Sequence, residues 1–186
     1  MQIYTDRHAL HRIPELELHL PKTQDYLREA LSALSCRVFS PLGSALCAWF
    51  DFGAEEAIAF RADMDALPIS EKTGAAYAST HPGVMHACGH DIHMTCLLGA
   101  AKLLAPLKGK LNGTIKLIFQ PGEEGYLGAR YMMKAGAFEH PKVDAVFGLH
   151  NSPEVPLGSV GLKNGALMAA VHRFYITLRG KGGHGA

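Results

Sequence analysis

Residues 84–95, VMHACGHDIHMT, place three histidines, a cysteine and an aspartate within twelve positions, just before the apolar run CLLGAAKLL. Cys88 and His90 offer a thiol and an imidazole two residues apart, and Gly89 between them lets the backbone turn both side chains to one side. Such a pair can share a metal ion. A helix starting near His90 is expected to lower the Cys88 pKa and favour the thiolate that a metal requires. Asp91 and His93 read as support for the site: either can orient a ligand imidazole, and His93 can equally be a satisfied buried histidine. Taken alone, the segment also fits a helix end with Cys88 in the core and His90 as a cap.

Other acid and imidazole groups sit at matching places in the chain. Asp63 and Asp65 follow the apolar run IAF, Glu123 and Glu124 follow KLIF, and His150 follows AVFGL. In open α/β sheets, ligands bind in the crevice beyond the carboxyl ends of the strands, so these groups can converge with Cys88 and His90. An adjacent Glu pair on irregular backbone can divide its work, one carboxylate holding a metal and the other a water. These are the ingredients of metal-assisted hydrolysis, in which a carboxylate takes a proton from the water and delivers it to the leaving amine.

The elements that must position these groups are legible in the hydrophobic period. TDRHALHRI up to Pro14 and KTQDYLREALSAL have helical spacing. CRVFS and SALCAWFDF read as strands joined by a Pro-Leu-Gly turn, with EAIAF following across GAEE as a meander. From there strands and helices alternate: AIAF, the helix near His90, TIKLIF, a helix through LGARYMMKAG, then AVFGL. This predicts an α/β layered, partly parallel sheet. GSVGLKNG and VHRFYITLRG have strand character again.

Composition removes several classes. With 186 residues the chain can bury roughly 70% of the surface its unfolded form exposes. Eighteen basic against seventeen acidic residues give a net charge of +1 with no basic run, so neither nucleic acid nor a membrane surface is expected as partner. The N-terminus has no signal-like apolar stretch, and the expected location is cytoplasmic. Cys36, Cys47 and Cys96 read as small buried hydrophobes with free thiols. There is no GxSxG elbow and no Walker A run, and structural zinc spacing is missing. A nucleophilic Cys88 leaves the acids without a role.

Together, HRIPEL, FRADMDALPISE, GVMHACGHDIHMTCLLGAA, IFQPGEEG, VDAVFGLHNSP, PLGSVGLKNGALMA and LRGKGGHGA resemble the metal-dependent amidohydrolases that include indoleacetyl-amino acid hydrolases, hippurate hydrolases and N-acyl-diaminopimelate deacetylases, within the aminoacylase/carboxypeptidase superfamily. The resemblance implies a three-layer α/β/α zinc-peptidase-like domain with a mixed sheet, incomplete here. It implies two divalent ions, Zn or Mn first and Ni or Co also compatible with the donors. Cys88 would bridge them, with His90 and Glu124 as terminal ligands and His150 on the second ion. Glu123 would be the general base and His184 would bind the substrate carbonyl. Asp65 would support the site from behind, and Asp63 stands where other branches have a ligand histidine. Gly122 replaces the family's usual alanine, with little consequence expected.

The implied activity is hydrolysis of the amide bond of N-acyl amino acids, small-molecule substrates. The resemblance also implies a truncated chain: residues 1–171 as the N-terminal part of the catalytic domain, and 172–186 as the first strand of a lid domain through which the parent enzyme forms a homodimer. A fragment of this kind is expected to be weakly active or inactive alone. Two other readings stay open, a non-catalytic metal or small-molecule binding remnant and a Cys88-dependent thiol hydrolase.

Overall fold

A computed structural model describes residues 2–53, 55–172 and 174–185. The chain divides into two units, Met1–Asn151 and Ser152–Ala186. Helix α1 (Gln2–Arg12) stops short of Pro14, and α2 (Pro21–Ser32) opens on a proline, whose missing N–H has no intrahelical partner to lose at that position. Leu27 and Leu31, one turn apart on α2, are fully buried.

Strands β1 (Arg37–Phe39), β2 (Leu46–Asp51), β3 (Ala57–Asp63), β4 (Thr114–Gln120) and β5 (Ala145–Gly148) form one sheet in the order β1-β2-β4-β3-β5. The expected meander is corrected by this order. β1 and β2 do pair antiparallel, but β4 inserts between β2 and β3, antiparallel to the first and parallel to the second. β5 joins the far side of β3, also parallel. The physical reason lies in β3 and β4, whose runs are apolar on both faces: such strands belong in the middle of a covered sheet, reached by crossover helices.

Alternation along the strands feeds two cores. Leu46, Ala48, Phe50, Ala62, Leu117 and Phe119 face α1, α2 and helix α3 (His90–Leu104). Cys47, Ala59 and Ile118 face the opposite way, against Met132 of α4 (Gly128–Lys134) and Ala137. The sheet is therefore mixed and covered on both faces, a three-layer α/β/α arrangement. Lys116 is fully buried, and its Nζ donates to the carbonyls of Glu139 (2.8 Å) and Pro141 (3.3 Å), tying down the loop that leads into β5. A buried ammonium so satisfied avoids the cost of an unpaired charge. Of the three cysteines read as buried, Cys47 is buried, Cys36 is half-buried and Cys96 lies exposed on α3.

Asp91, expected to orient a ligand imidazole, instead holds α1 against α3. Its Oδ2 accepts from Arg7 Nε and from His11 Nδ1, both at 2.8 Å. His11 Nε2 lies 3.3 Å from Glu71 Oε1, and the buried ring of His86 packs 6.3 Å away. The correction has a geometric cause: Asp91 is on the first turn of α3, but its side chain faces α1, whose residues are some eighty positions earlier in the chain.

In the second unit, the described residues form neither helix nor strand, so the strand character of GSVGLKNG and VHRFYITLRG is not realised there. Arg173 within that stretch lies outside the described residues. A strand needs a neighbour for its N–H and C=O groups, and none of these residues is paired in the sheet. Leu162 and Leu178 remain about nine-tenths exposed. No helix among the described residues is long and apolar enough to cross a membrane.

Two measurements probe these features. Phe119, fully buried under the helices, should cost about 3–5 kcal/mol when changed to Ala, read as a lower urea midpoint. The His11 pKa is raised, chiefly by its bond to Asp91 with Glu71 adding, against the opposing effects of burial and Arg7. A raised histidine contributes stability fully below its unfolded pKa of about 6.5, and that contribution fades as pH rises through the folded value. Urea midpoints of the wild type should therefore drop from pH 6 upward, and the His11→Gln chain should lack that component of the slope.

Candidate metal centre

Because β3, β4 and β5 run parallel and adjacent, their carboxyl ends share one edge: Asp63 pairs with Gln120, and Arg61 with Gly148. Asp65, Glu123, Glu124 and His150 follow from these ends within a few residues. At the same edge, Gly89 sits at φ +87°, a left-handed conformation open to glycine, and from it α3 departs at His90.

Asp65 connects these pieces. Fully buried, its two carboxylate oxygens accept the main-chain N–H groups of Glu123 and Glu124, each at 2.9 Å. Its carbonyl oxygen lies 2.6 Å from His90 Nδ1 and accepts that ring's N–H. One residue thus fixes the Glu-Glu backbone from β4 and the ring orientation of an imidazole from α3. Gly122, just before the pair, has φ +67°, and a Cβ there would lie 2.5 Å from Leu18 Cδ2. In this chain an alanine at 122 would require Leu18 to move, so the departure expected to matter little has a packing cause.

Two imidazoles present the same nitrogen to the cluster. His90 donates from Nδ1 to Asp65 O, and its buried Nε2 has no hydrogen-bond partner among the described residues. That nitrogen lies 3.8 Å from Glu123 Oε2, 3.9 Å from Glu124 Oε1 and 3.6 Å from Asp63 Oδ2. His150 donates from Nδ1 to the carbonyl of Asn151 at 2.7 Å, leaving Nε2 3.5 Å from Cys88 Sγ. Ligands of one tetrahedral ion, at about 2.0–2.3 Å from it, stand roughly 3–4 Å apart. The donors therefore fit a divalent metal: Cys88, His90 and His150 have one donor atom each within 4.8 Å of the others, and so do His90, Glu123 and Glu124. Asp63, His90 and His93 form a third such group.

The charges around these donors act on one another. Burial raises the Cys88 pKa, and Glu124, Glu123 and Asp63 add to it, pushing it up to about 12. The expectation that a helix start would depress it is overturned: burial first, and then full carboxylate charges nearby, outweigh a helix's fractional charge. For Glu123 burial is again first, followed by Asp63 and Glu124, and its pKa is raised. Burial would also raise Asp63, but the hydrogen bond from His93 and the charge of Arg61 prevail and hold it at about 2. His93 Nδ1 is 2.6 Å from Asp63 Oδ1, and Arg61 Nη1 donates to Asp63 Oδ2 at 2.6 Å.

Of the residues picked from the sequence, Cys88, His90, Glu123, Glu124, His150, Asp63, Asp65 and His93 come together. Asp91 faces away, and His184 is exposed in the second unit. Arg61 and Asn151 were missed. Arg61 lies within FRADMDALPISE, but only the fold shows that it pairs with Asp63. Changing Asp65 to Asn keeps its shape and replaces one acceptor with a donor facing a main-chain N–H. The buried clash should cost about 1–3 kcal/mol in urea unfolding and weaken metal uptake measured by titration.

Residues 59–178, well over half the chain, match the family model described as peptidase family M20/M25/M40. The N-acetyl-L-cysteine deacetylase of Bacillus subtilis is 45% identical over 188 residues, covering 100% of this chain and 44% of that protein. The N-acetyldiaminopimelate deacetylase of Limosilactobacillus reuteri is 42% identical over 187 residues, covering 97% and 49%. A Bacillus subtilis crystal structure described as a dinuclear metal binding peptidase of the M20 family superposes with TM-score 0.84 at 38% identity, over 88% of this chain and 46% of that one. The chain thus spans about half the length of the curated relatives it matches. With the fold and the convergence of donors described above, these matches identify the family: the chain belongs to peptidase family M20/M25/M40.

Proposed function

We propose that this chain carries the metal-binding part of a dinuclear amidohydrolase acting on N-acyl amino acids. The observation that carries the reading is the pair of imidazoles, His90 and His150, each with Nδ1–H given to a main-chain carbonyl and Nε2 turned toward Cys88 or the Glu pair. An imidazole fixed in that tautomer is ready to ligate. Cys88, His90 and Glu124 would hold one ion, and Cys88 with His150 would hold the other. The named activities of the relatives, deacetylation of N-acetylcysteine and N-acetyldiaminopimelate, favour an N-acyl amino acid as substrate.

Two bound divalent ions, with Zn or Mn the first choice, would polarise the scissile carbonyl and acidify a water. Glu123, its pKa already raised, takes the water's proton and passes it to the departing amine. Asp65 keeps Glu123 and Glu124 at fixed places through their main-chain N–H groups. Asp63, held ionised beside Arg61 and His93, contributes negative charge behind His90. His184 is assigned to the substrate carbonyl, and residues 172–186 to the start of a lid domain that also joins two subunits. A thiol mechanism at Cys88 is disfavoured, because a thiol with a pKa near 12 is protonated at neutral pH.

The test uses the purified chain with N-acetyl and N-benzoyl amino acids. Hydrolysis, weak in the chain by itself, should vanish on chelation and return with Mn or Zn. Glu123→Gln should retain metal in titration yet lose at least a hundredfold in turnover, the span typical of a missing proton-transfer group. Turnover that survives chelation would favour the thiol reading. Metal uptake without turnover, even with a complementary C-terminal half added, would favour a binding remnant.

A further inference from the structure

We infer that Asn151 is the positioning residue that brings His150 to the second metal ion, through a clamp on His93. The inference rests on the dinuclear reading above. His150 is exposed, two residues past the end of β5, and a side chain so placed needs something to hold it within reach of Cys88. Asn151 supplies that hold by touching both rings. Its carbonyl accepts the Nδ1–H of His150 at 2.7 Å. His93 Nε2 meets Asn151 in one of two ways, donating to the side-chain Oδ1 at 2.6 Å or accepting the main-chain N–H at 3.0 Å. His93 is buried and anchored on its other side by Asp63 at 2.6 Å, so the clamp is referred back to the end of β3.

The socket for Asn151 is Gly89. A Cβ at that position would lie 2.3 Å from Asn151 Oδ1 and 2.8 Å from its Nδ2. Gly89 therefore meets two requirements at once: it turns Cys88 and His90 together, and it leaves the space in which the Asn151 amide packs. The order of dependence runs Asp63 to His93 to Asn151 to His150. His90 lies outside it, because Asp65 fixes its ring independently. The two ions should then respond differently to a loss of the clamp.

The experiment titrates the purified chain with Co(II) alone, following thiolate-to-cobalt charge transfer and d–d absorption, with thermal unfolding of the metal-free chains as a check on folding. The wild type should take two equivalents. Asn151→Ala should keep the first equivalent with its charge-transfer band and weaken the second about 10–100-fold, the range for lost outer-sphere partners of a ligand. Asn151→Ala removes only the Oδ1 contact, so His93→Phe, which removes the ring that both Asn151 contacts meet, should show the same split at least as strongly, and the double variant should be no worse than the stronger single one. Two equivalents bound unchanged in Asn151→Ala overturn the inference alone, and so does an equal loss of both ions, which marks a merely structural role. A wild type that takes up no cobalt defeats the dinuclear reading and the inference with it.

Discussion

The carboxylate of Asp65, buried and accepting two consecutive main-chain N–H groups, is the constraint on which the centre depends. It lies two residues past β3, reaches across to the loop that leaves β4, and through its own carbonyl reaches the first residue of α3. A buried carboxylate is costly unless it is fully hydrogen-bonded, and here its bonds are made to the backbone of the two glutamates whose side chains belong to the candidate centre. Folding stability and site geometry are therefore the same interaction seen from two sides.

Around that point the molecule separates its charges. The donor cluster gathers the carboxylates of Asp63, Glu123 and Glu124 about one thiol and two imidazoles, with Arg61 as the nearby cation. Behind it, Arg7, His11, Asp91 and Glu71 form a second polar group that joins α1, α3 and the 66–89 connection. Both contain histidines and acids, and both leave buried atoms without a partner, His90 Nε2 in the first and Asp91 Oδ1 with the neighbouring His86 ring nitrogens in the second; only the first sets that nitrogen among a thiol, a second imidazole and carboxylates at ligand spacing. That difference in donor set and spacing, more than residue type, separates the candidate metal centre from the network that joins the helices.

Much of this was readable in the chain. The strands and helices of the first 150 residues followed the hydrophobic period, and the placing of Asp63, Glu123 and His150 just after apolar runs pointed to one edge. Strand order was not readable, because SALCAWFDF and EAIAF look like neighbours until the doubly apolar TIKLIF competes for the space between them. The role of Asp91 was misread since helix position says which turn a residue occupies and not which partner, some eighty positions away, its side chain meets. The helix-start argument for Cys88 failed for a related reason: the burial that raises the thiol, and the carboxylates that add to it, come from parts of the chain distant in sequence. Asn151 left no signal, an ordinary residue given its place by a glycine 62 positions earlier.

The parallel core β3, β4 and β5 also bears on how such a centre comes into being. Its donors lie at 63–65, 88–90, 123–124 and 150, and they meet only when non-adjacent strands have paired through long crossovers. Closing those loops is the slow, late part of folding for a sheet of this kind. No contiguous peptide from the chain, VMHACGHDIHMT included, contains the assembled donors. On the proposed reading, metal capture is an end-point of folding and not its seed, the reverse of small domains that ions draw into shape.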